Sequence, residues 1–176
     1  LSHEYLIEQL QYENKSGGTM ELNFNHPVKE LIWAGVRKFN DLTSIGDDGT
    51  IYGRAALSTS PTDTFQLKLN GHDRFAARDW IYFSRTQVWQ HHSGSGGLNS
   101  ATTGTDGGST GDFDDSIGVY SFALKPEEHQ PSGTCNFSRI DNAELSITSG
   151  PAVPSTQLNI FAHGYNVLRV ASGMGG

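Results

Sequence analysis

Apolar and polar residues alternate with a period of two in several short segments of this chain. The clearest are FQLKLN at residues 65–70 and MELNFN at residues 20–25. Successive side chains of a β-strand point to opposite faces of the sheet, so this alternation predicts strands with one buried face. No stretch of useful length carries the helical period. The chain is therefore predicted to be all-β.

Further strands are predicted from β-branched and aromatic residues at 5–12, 28–36, 80–89, 118–124, 134–147 and 158–170. In the last of these, Leu158, Ile160 and Ala162 are expected to share one buried face. A short element is expected near 52–57, within a long loop. About eight strands joined by loops of unequal length favour an eight-stranded antiparallel jelly-roll sandwich over an up-and-down barrel. With 176 residues, the chain suits one domain covering residues 1–176.

The composition limits the classes of partner. The formal net charge is −7 and the isoelectric point is about 5.4. These values argue against direct binding of nucleic acid, which normally needs a basic face. Cys135 is the only cysteine, so no disulfide can form within the chain and folding is expected to be independent of oxidation. No apolar run approaches the ~20 residues of a membrane span.

Two segments are predicted to be long loops. Residues 40–63 are rich in Asp, Gly, Ser and Thr, and 15 of the 19 residues from 93 to 111 are Gly, Ser or Thr. The second segment has too little apolar surface to offset its ordering entropy alone. It is either a flexible surface loop or a loop that a neighbouring subunit orders, because compact domains seldom carry structureless loops above about 12–15 residues.

Seven histidines raise the question of a metal site, but their spacing argues against one. Neither His-x-His nor His-Glu-x-x-His occurs. His91 and His92 are adjacent, so on a strand they would point to opposite faces and could not both bind one ion. Aspartates at 47–48 and at 112, 114 and 115 do not match a calcium-binding loop and are interpreted as charged turns. No metal site and no cofactor is predicted.

The sequence offers no catalytic site either. Glu127, Glu128 and His129 cluster between two prolines, but acid–base chemistry would need a pocket and shifted pKa values. A solvated charged loop explains the cluster, and Cys135 is interpreted as a buried small hydrophobe. No nucleophile motif, phosphate loop or dinucleotide fingerprint is present. The chain is therefore predicted not to be an enzyme.

Two sequons for N-glycosylation occur. Asn14 begins the first, Asn-Lys-Ser, which is placed in a turn and is the candidate modification site. Asn136 begins the second, which is predicted to lie within a strand.

Five segments in consistent order carry a family resemblance. They are HPVKELIWA at 26–34, LNGHDRF at 69–75, GVYSFALKPEEHQPSGTCNFSR at 118–139, SRIDNAELSI at 138–147 and YNVLRVASGMGG at 165–176. With these segments the chain resembles the C-terminal jelly roll of the double-jelly-roll major capsid proteins of large DNA viruses.

The resemblance implies that the chain is the second of two tandem jelly rolls, the C-terminal half of a longer subunit. It implies a structural protein whose homotrimers form capsomers of pseudo-hexagonal outline. These capsomers would tile an icosahedral shell around an internal membrane, with neighbouring capsomers and minor capsid proteins as partners. Contact with the membrane would be indirect, and none with nucleic acid is expected. The location would be the virion capsid, assembled in the host cytoplasm.

The main alternative is a carbohydrate-binding, lectin-like jelly roll. Exposed Trp80, Trp89 or Tyr52 could stack on sugar rings, although tryptophans in predicted strands are more simply interpreted as core residues. An enzyme of cupin type is a third possibility, which stoichiometric metal in the purified protein would support.

Overall fold

The computed structural model describes residues 1–36, 54–55, 64–94, 117–148 and 157–175. These residues form two antiparallel β-sheets with a shared core, which confirms the predicted all-β jelly-roll sandwich. The loops predicted at 40–63 and 93–111 lie almost wholly outside the described residues, as do the aspartates at 47–48 and 112–115. Within the described residues, no helix is long and apolar enough to cross a bilayer.

Twelve strands occur in the described part of the chain. They are, in chain order, β1 (Ser2–Ser16), β2 (Thr19–Leu22), β3 (Pro27–Val36), β4 (Arg54–Ala55), β5 (Thr64–Leu69), β6 (His72–Asp73), β7 (Arg78–Asp79), β8 (Ile117–Ser121), β9 (Cys135–Asn136), β10 (Ala143–Thr148), β11 (Gln157–Ala171) and β12 (Met174–Gly175). Five of them have only two residues each, so their number exceeds the eight predicted from longer runs.

The strands divide into a seven-stranded and a five-stranded sheet. The first has the order β1-β11-β3, with β4, β8 and β9 also pairing with β3 and β12 with β11. The second has the order β2-β10-β5-β6, with β7 also pairing with β5. The long strands β1 and β11 pair through 15 residues each, and β3 pairs with β11 only from Gln157 to Gly164.

The core lies between the two sheets and follows the predicted alternation. The fully buried apolar side chains of the seven-stranded sheet include Val28, Leu31, Trp33, Leu158, Ile160 and Ala162, and those of the five-stranded sheet include Met20, Leu22, Phe65, Leu67 and Leu145. Deep burial of this apolar surface is the main contribution that stabilises the sandwich.

Trp33 fills the centre of the core. Its ring centroid lies 5.5 Å from that of Phe65 and 5.3 Å from that of Phe83. Gly118 of β8 is its cross-strand neighbour, and a Cβ atom at this position would overlap the indole. Residue 118 must therefore be glycine for the tryptophan to lie flat against β8.

The turn predicted at Asn70-Gly71 is confirmed. Asn70 and Gly71 have φ angles of 52° and 77°, and Leu69 pairs with His72 across the two-residue loop. Positive φ at both central positions is the requirement of the tight hairpin turn that Asn-Gly favours.

The prediction of a strand at 80–89 is wrong. A π-helical turn, Tyr82–Thr86, continues there into a short helix, α1 (Gln87–His91). The buried residues of this segment are Phe83, Ser84 and Gln87, which share one helical face.

A capping interaction explains why this segment turns helical. The Asp79 side chain accepts a hydrogen bond of 3.2 Å from the backbone N–H of Tyr82, three residues later, as an N-cap residue does. Of the three core residues predicted in this segment, Phe83 is buried, Val88 is half-buried and Ile81 is exposed.

The strand predicted at 134–147 is interrupted. β9 ends at Asn136, a 3₁₀ turn (Phe137–Arg139) follows, and β10 begins at Ala143. The Asn136 side chain accepts a hydrogen bond of 3.1 Å from the N–H of Ser138. Such local side-chain bonds compete with a β-ladder, which explains the break.

Candidate functional site

An irregularity in β3 positions a group of charged side chains. Glu30 pairs with His163 and Val28 with Gly164, so Lys29 is an extra residue in the ladder, as in a β-bulge. The backbone carbonyl of Lys29 accepts hydrogen bonds from the N–H groups of Phe122 and Ala123, which directly follow β8. A Cβ atom on Gly164 would overlap the Pro27 carbonyl, so the bulge also requires this glycine.

Glu30 is a buried carboxylate between two histidines. Its side chain is only 4% exposed. His163 Nδ1 lies 3.2 Å from Glu30 Oε1, and His92 Nε2 lies 2.6 Å from Glu30 Oε2. Each oxygen of the buried carboxylate therefore has its own imidazole partner.

Both histidines contact a second carboxylate through their other ring nitrogen. His163 Nε2 lies 3.4 Å from Glu8 Oε2 on β1, and His92 Nδ1 lies 3.0 Å from Glu127 Oε1. Glu127 also accepts a hydrogen bond of 2.7 Å from the hydroxyl of Ser93. A continuous series of polar contacts thus runs from β1 through β11 and β3 to the end of α1.

Lys29 completes this arrangement from within the sheet. Its side chain is fully buried, and its ammonium donates to Glu8 and, at 3.3 Å, to the Glu128 carbonyl. The same ammonium lies 4.8 Å from the centroid of the Tyr165 ring, whose hydroxyl donates to the His129 carbonyl at 2.6 Å. We call Glu8, Lys29, Glu30, His92, Glu127 and His163 the Glu30 cluster.

The contacts within the Glu30 cluster shift the pKa values of its members. Burial alone would raise the pKa of Glu30, but hydrogen bonds and charge from His163 and His92 outweigh it and lower the pKa from 4.5 to about 2. The hydrogen bond with Glu30 raises the pKa of both histidines above 6.5, against the effect of burial. A hydrogen bond from Lys29 lowers the pKa of Glu8.

The geometry of the cluster suits a clasp between strands. Its carboxylates contact the Lys29 ammonium, the two imidazoles and the Ser93 hydroxyl. Within the described ranges, no group of three His, Cys, Asp or Glu side chains is placed to hold a metal ion.

The structure adds specific contacts to the predicted charged loop. Glu127, whose side chain is 43% exposed, contacts His92 and Ser93. His92 directly follows α1. The side chains of Glu128 and His129 are exposed. Their backbone carbonyls accept hydrogen bonds from Lys29 and Tyr165, respectively.

Four members of the cluster were missed by the sequence reasoning. Glu8, Lys29, Glu30 and His163 come from three strands that are distant in sequence. One signal was available, because Lys29 and Glu30 are adjacent charged residues inside an otherwise apolar predicted strand. Buried charged residues of this kind are rare unless they are paired.

Asn14, the candidate glycosylation site, lies in β1 and not in the predicted turn. Its side chain is exposed, and its Nδ2 atom donates a hydrogen bond of 2.8 Å to Asn159 Oδ1. Modification at Asn14 stays a prediction.

A second notable surface is the end of the β1–β11 pair. We call residues 2–8 of β1 and 165–171 of β11 the ribbon, since β3 pairs with β11 only as far as Gly164. The large apolar side chains exposed on it are Tyr5, Leu6, Val167 and Leu168, of which Tyr5, Leu6 and Val167 are 54%, 44% and 52% exposed. Leu6 and Val167 are cross-strand neighbours, so they form one apolar patch.

The aromatic residues considered for sugar binding lie in different environments. Trp89 on α1 is 78% exposed, so the interpretation of tryptophans as core residues is wrong for Trp89. Trp80 packs against the core cluster, and Tyr52 lies outside the described residues.

Comparison with known proteins gives a consistent result. The sequence model of the family described as large eukaryotic DNA virus major capsid protein matches residues 1–176. The major capsid protein of Pyramimonas orientalis virus is 46% identical, over 100% of this chain and 43% of that relative. The major capsid protein of Paramecium bursaria Chlorella virus 1 is 37% identical, over 100% of this chain and 48% of that relative.

Solved structures agree in fold. The quasi-atomic model of the PBCV-1 virus capsid superposes with a TM-score of 0.69 and 32% identity, covering 100% of this chain and 51% of the matched chain. The Faustovirus major capsid protein superposes with a TM-score of 0.60 at 15% identity, over 97% of this chain and 34% of that one, and shows the fold alone. The chain thus spans about half the length of the two viral relatives and of the PBCV-1 capsid chain. These matches give no support to the carbohydrate-binding alternative.

Proposed function

Because this chain belongs to the family of large eukaryotic DNA virus major capsid proteins, we propose that it is one jelly-roll domain, residues 1–176, of a longer capsid subunit. In this proposal the subunit carries two jelly rolls in tandem and this chain is the second. Its role is structural, and it is not an enzyme. The relatives that it matches are about twice its length, which supports a second domain in the subunit.

The exposed ribbon is the observation that carries the proposal. From residue 165 to residue 169, β11 pairs only with β1. A two-stranded pair with apolar side chains on its surface is only marginally stable in water by itself. Tyr5 and Leu6 are adjacent on β1, so they point to opposite faces and both faces of the ribbon carry exposed apolar residues. Exposed apolar surface of this kind marks a contact with another part of an assembly.

We further propose the assembly itself. Three subunits form a capsomer of pseudo-hexagonal outline, and capsomers pack with one another and with minor capsid proteins into an icosahedral shell in the virion. Assembly takes place in the host cytoplasm. The acidic net charge of −7 suits a shell separated from the genome by an internal membrane, with which this chain has no direct contact.

Oligomeric mass tests this proposal. Light scattering after size-exclusion chromatography should give the mass of a trimer for the full-length subunit. The variant Leu6→Lys should reduce the trimer fraction, because a buried ammonium opposite apolar groups is unfavourable. Thr19→Lys is the matched control, since Thr19 is exposed on β2 and distant from the ribbon. A monomeric wild type, or equal trimer fractions for both variants, would refute the proposal.

A further inference from the structure

Each histidine of the Glu30 cluster faces carboxylate oxygens with both ring nitrogens. His92 contacts Glu30 at 2.6 Å and Glu127 at 3.0 Å. His163 contacts Glu30 at 3.2 Å and Glu8 at 3.4 Å. Ionised carboxylates only accept hydrogen bonds, so all four contacts are satisfied only when both nitrogens of each ring carry a proton. The geometry therefore assigns two imidazolium ions.

The charge count supports the same assignment. With both rings protonated, the cluster holds three cations, on Lys29, His92 and His163, and three carboxylates, on Glu8, Glu30 and Glu127. Loss of both protons would leave one cation against three carboxylates. The buried Glu30 would then keep its charge with fewer donors, which is unfavourable in a site shielded from water.

We propose that the Glu30 cluster is a pH-operated clasp: with both imidazoles protonated, His92 holds the 125–131 loop against β3 and His163 holds β3 against β1, and both contacts weaken when the imidazoles are neutral. A neutral imidazole has one N–H, so His92 could no longer donate to Glu30 and Glu127 together. His163 could likewise no longer donate to both Glu30 and Glu8. Deprotonation of His92 thus breaks one link between β3 and the 125–131 loop, and deprotonation of His163 breaks one link between strands of the seven-stranded sheet.

The charged groups around the clasp do not substitute for the histidines. From β3, Lys29 already binds Glu8. From the loop, exposed His129 lies 3.6 Å from Glu8, and exposed Lys125 lies 3.4 Å from Glu128, outside the cluster. From α1, His91 contacts the Leu124 carbonyl.

The direction of the pH dependence follows from the pKa shifts. Both histidine pKa values are raised by folding, so their contribution to stability is complete below pH 6.5 and is lost as pH rises through the raised values. The pKa of Glu30 is lowered, so its contribution is complete above pH 4.5 and is lost as pH falls towards about 2. The clasp is therefore tightest between about pH 4.5 and 6.5 and opens on the alkaline side.

Hydrogen exchange of the full-length subunit tests the clasp directly. Amide exchange at 92–94 and 125–131, corrected for the intrinsic effect of pH, should be at least about tenfold faster at pH 9 than at pH 6. Exchange in β5 and β10, distant from the cluster, should not change. The double variant His92→Gln/His163→Gln should exchange rapidly at both pH values. His72→Gln, at an exposed position on β6, should behave as the wild type.

Two results would overturn the clasp. One is equal corrected exchange of the wild type at both pH values, which decides the matter even if the double variant does not fold. The other is a double variant that retains the pH dependence of the wild type. The clasp does not depend on the proposed capsid function, since a monomeric subunit that opens at pH 9 would refute assembly and retain the clasp.

Discussion

Single residues at the bulge of β3 determine how β3 pairs with β11. Lys29 is the extra residue, Gly164 lies opposite Val28, and Glu30 turns towards the histidines. Substitution of any of these residues therefore affects both the backbone pairing and the contacts between charged side chains. Two predictions belong to this scale.

Gly164→Ala should destabilise the protein by about 1–3 kcal/mol, because the added methyl group overlaps the Pro27 carbonyl and forces the backbone apart. Gly175→Ala is the matched control, since a Cβ atom there meets nothing within 4 Å. Urea denaturation of both variants measures the difference. Equal urea midpoints for the two variants would show that the backbone at the bulge accommodates the methyl group without loss of stability, which would contradict this prediction.

Glu30→Gln should alter the response to acid. Because folding lowers the pKa of Glu30 from 4.5 to about 2, the wild type should lose about 3 kcal/mol between pH 5 and pH 2 through this carboxylate alone. The variant should lack that part of the loss and be less stable than the wild type near pH 6. Denaturation curves across this range, with Glu21→Gln at an exposed position as control, provide the measurement. Parallel curves for wild type and Glu30→Gln would contradict the assignment.

Among the elements, the helical segment formed by Tyr82–Thr86 and α1 positions His92 of the Glu30 cluster. Asp79 begins it, Phe83 anchors it in the core, and His92 follows its end. The Gln87 side chain also accepts a hydrogen bond of 3.1 Å from the N–H of Ser121 on β8. The segment thus links the core to the Glu30 cluster.

Asp79→Ala should remove the N-cap of this segment and destabilise the protein by about 1 kcal/mol. Asp73→Ala, at an exposed position on β6, should have little effect. Thermal unfolding at pH 6 distinguishes the two. If Asp73→Ala lowers the midpoint as much as Asp79→Ala does, the effect reflects lost negative charge and not the cap.

The sequence was sufficient for elements whose signal is local. Alternation identified the buried faces of β5 and β11, and Asn70-Gly71 identified its hairpin. The helical segment was missed because its aromatic and β-branched residues favour strands, and the Asp79 cap was not considered. The Glu30 cluster could not be predicted, because His163 lies 133 residues from Glu30 and 155 from Glu8. Register and the bulge, which are tertiary features, bring them together.

On the scale of the whole molecule, the sandwich has a closed core and an exposed ribbon. The core accounts for folding as a jelly roll, and the ribbon exposes apolar residues on both faces. The chain spans about half its relatives' length, and we propose that the rest of a capsid assembly covers this exposed apolar surface.

Residues 1–176 produced alone should self-associate as their concentration rises, because the ribbon is uncovered. The double variant Leu6→Lys/Leu168→Lys should stay monomeric to higher concentration, since each lysine replaces an exposed apolar side chain of the ribbon. Sedimentation velocity over a concentration series measures this. If the double variant self-associates as strongly as the wild type, a surface other than the ribbon mediates the association.

Electron cryomicroscopy of the purified full-length subunit tests the capsid account most directly. The account predicts particles of three subunits with a pseudo-hexagonal outline and six jelly rolls, three of which fit the sandwich formed by residues 1–176. In these particles the ribbon should be covered. Monomeric particles at high concentration, or a subunit without a second jelly roll, would contradict it.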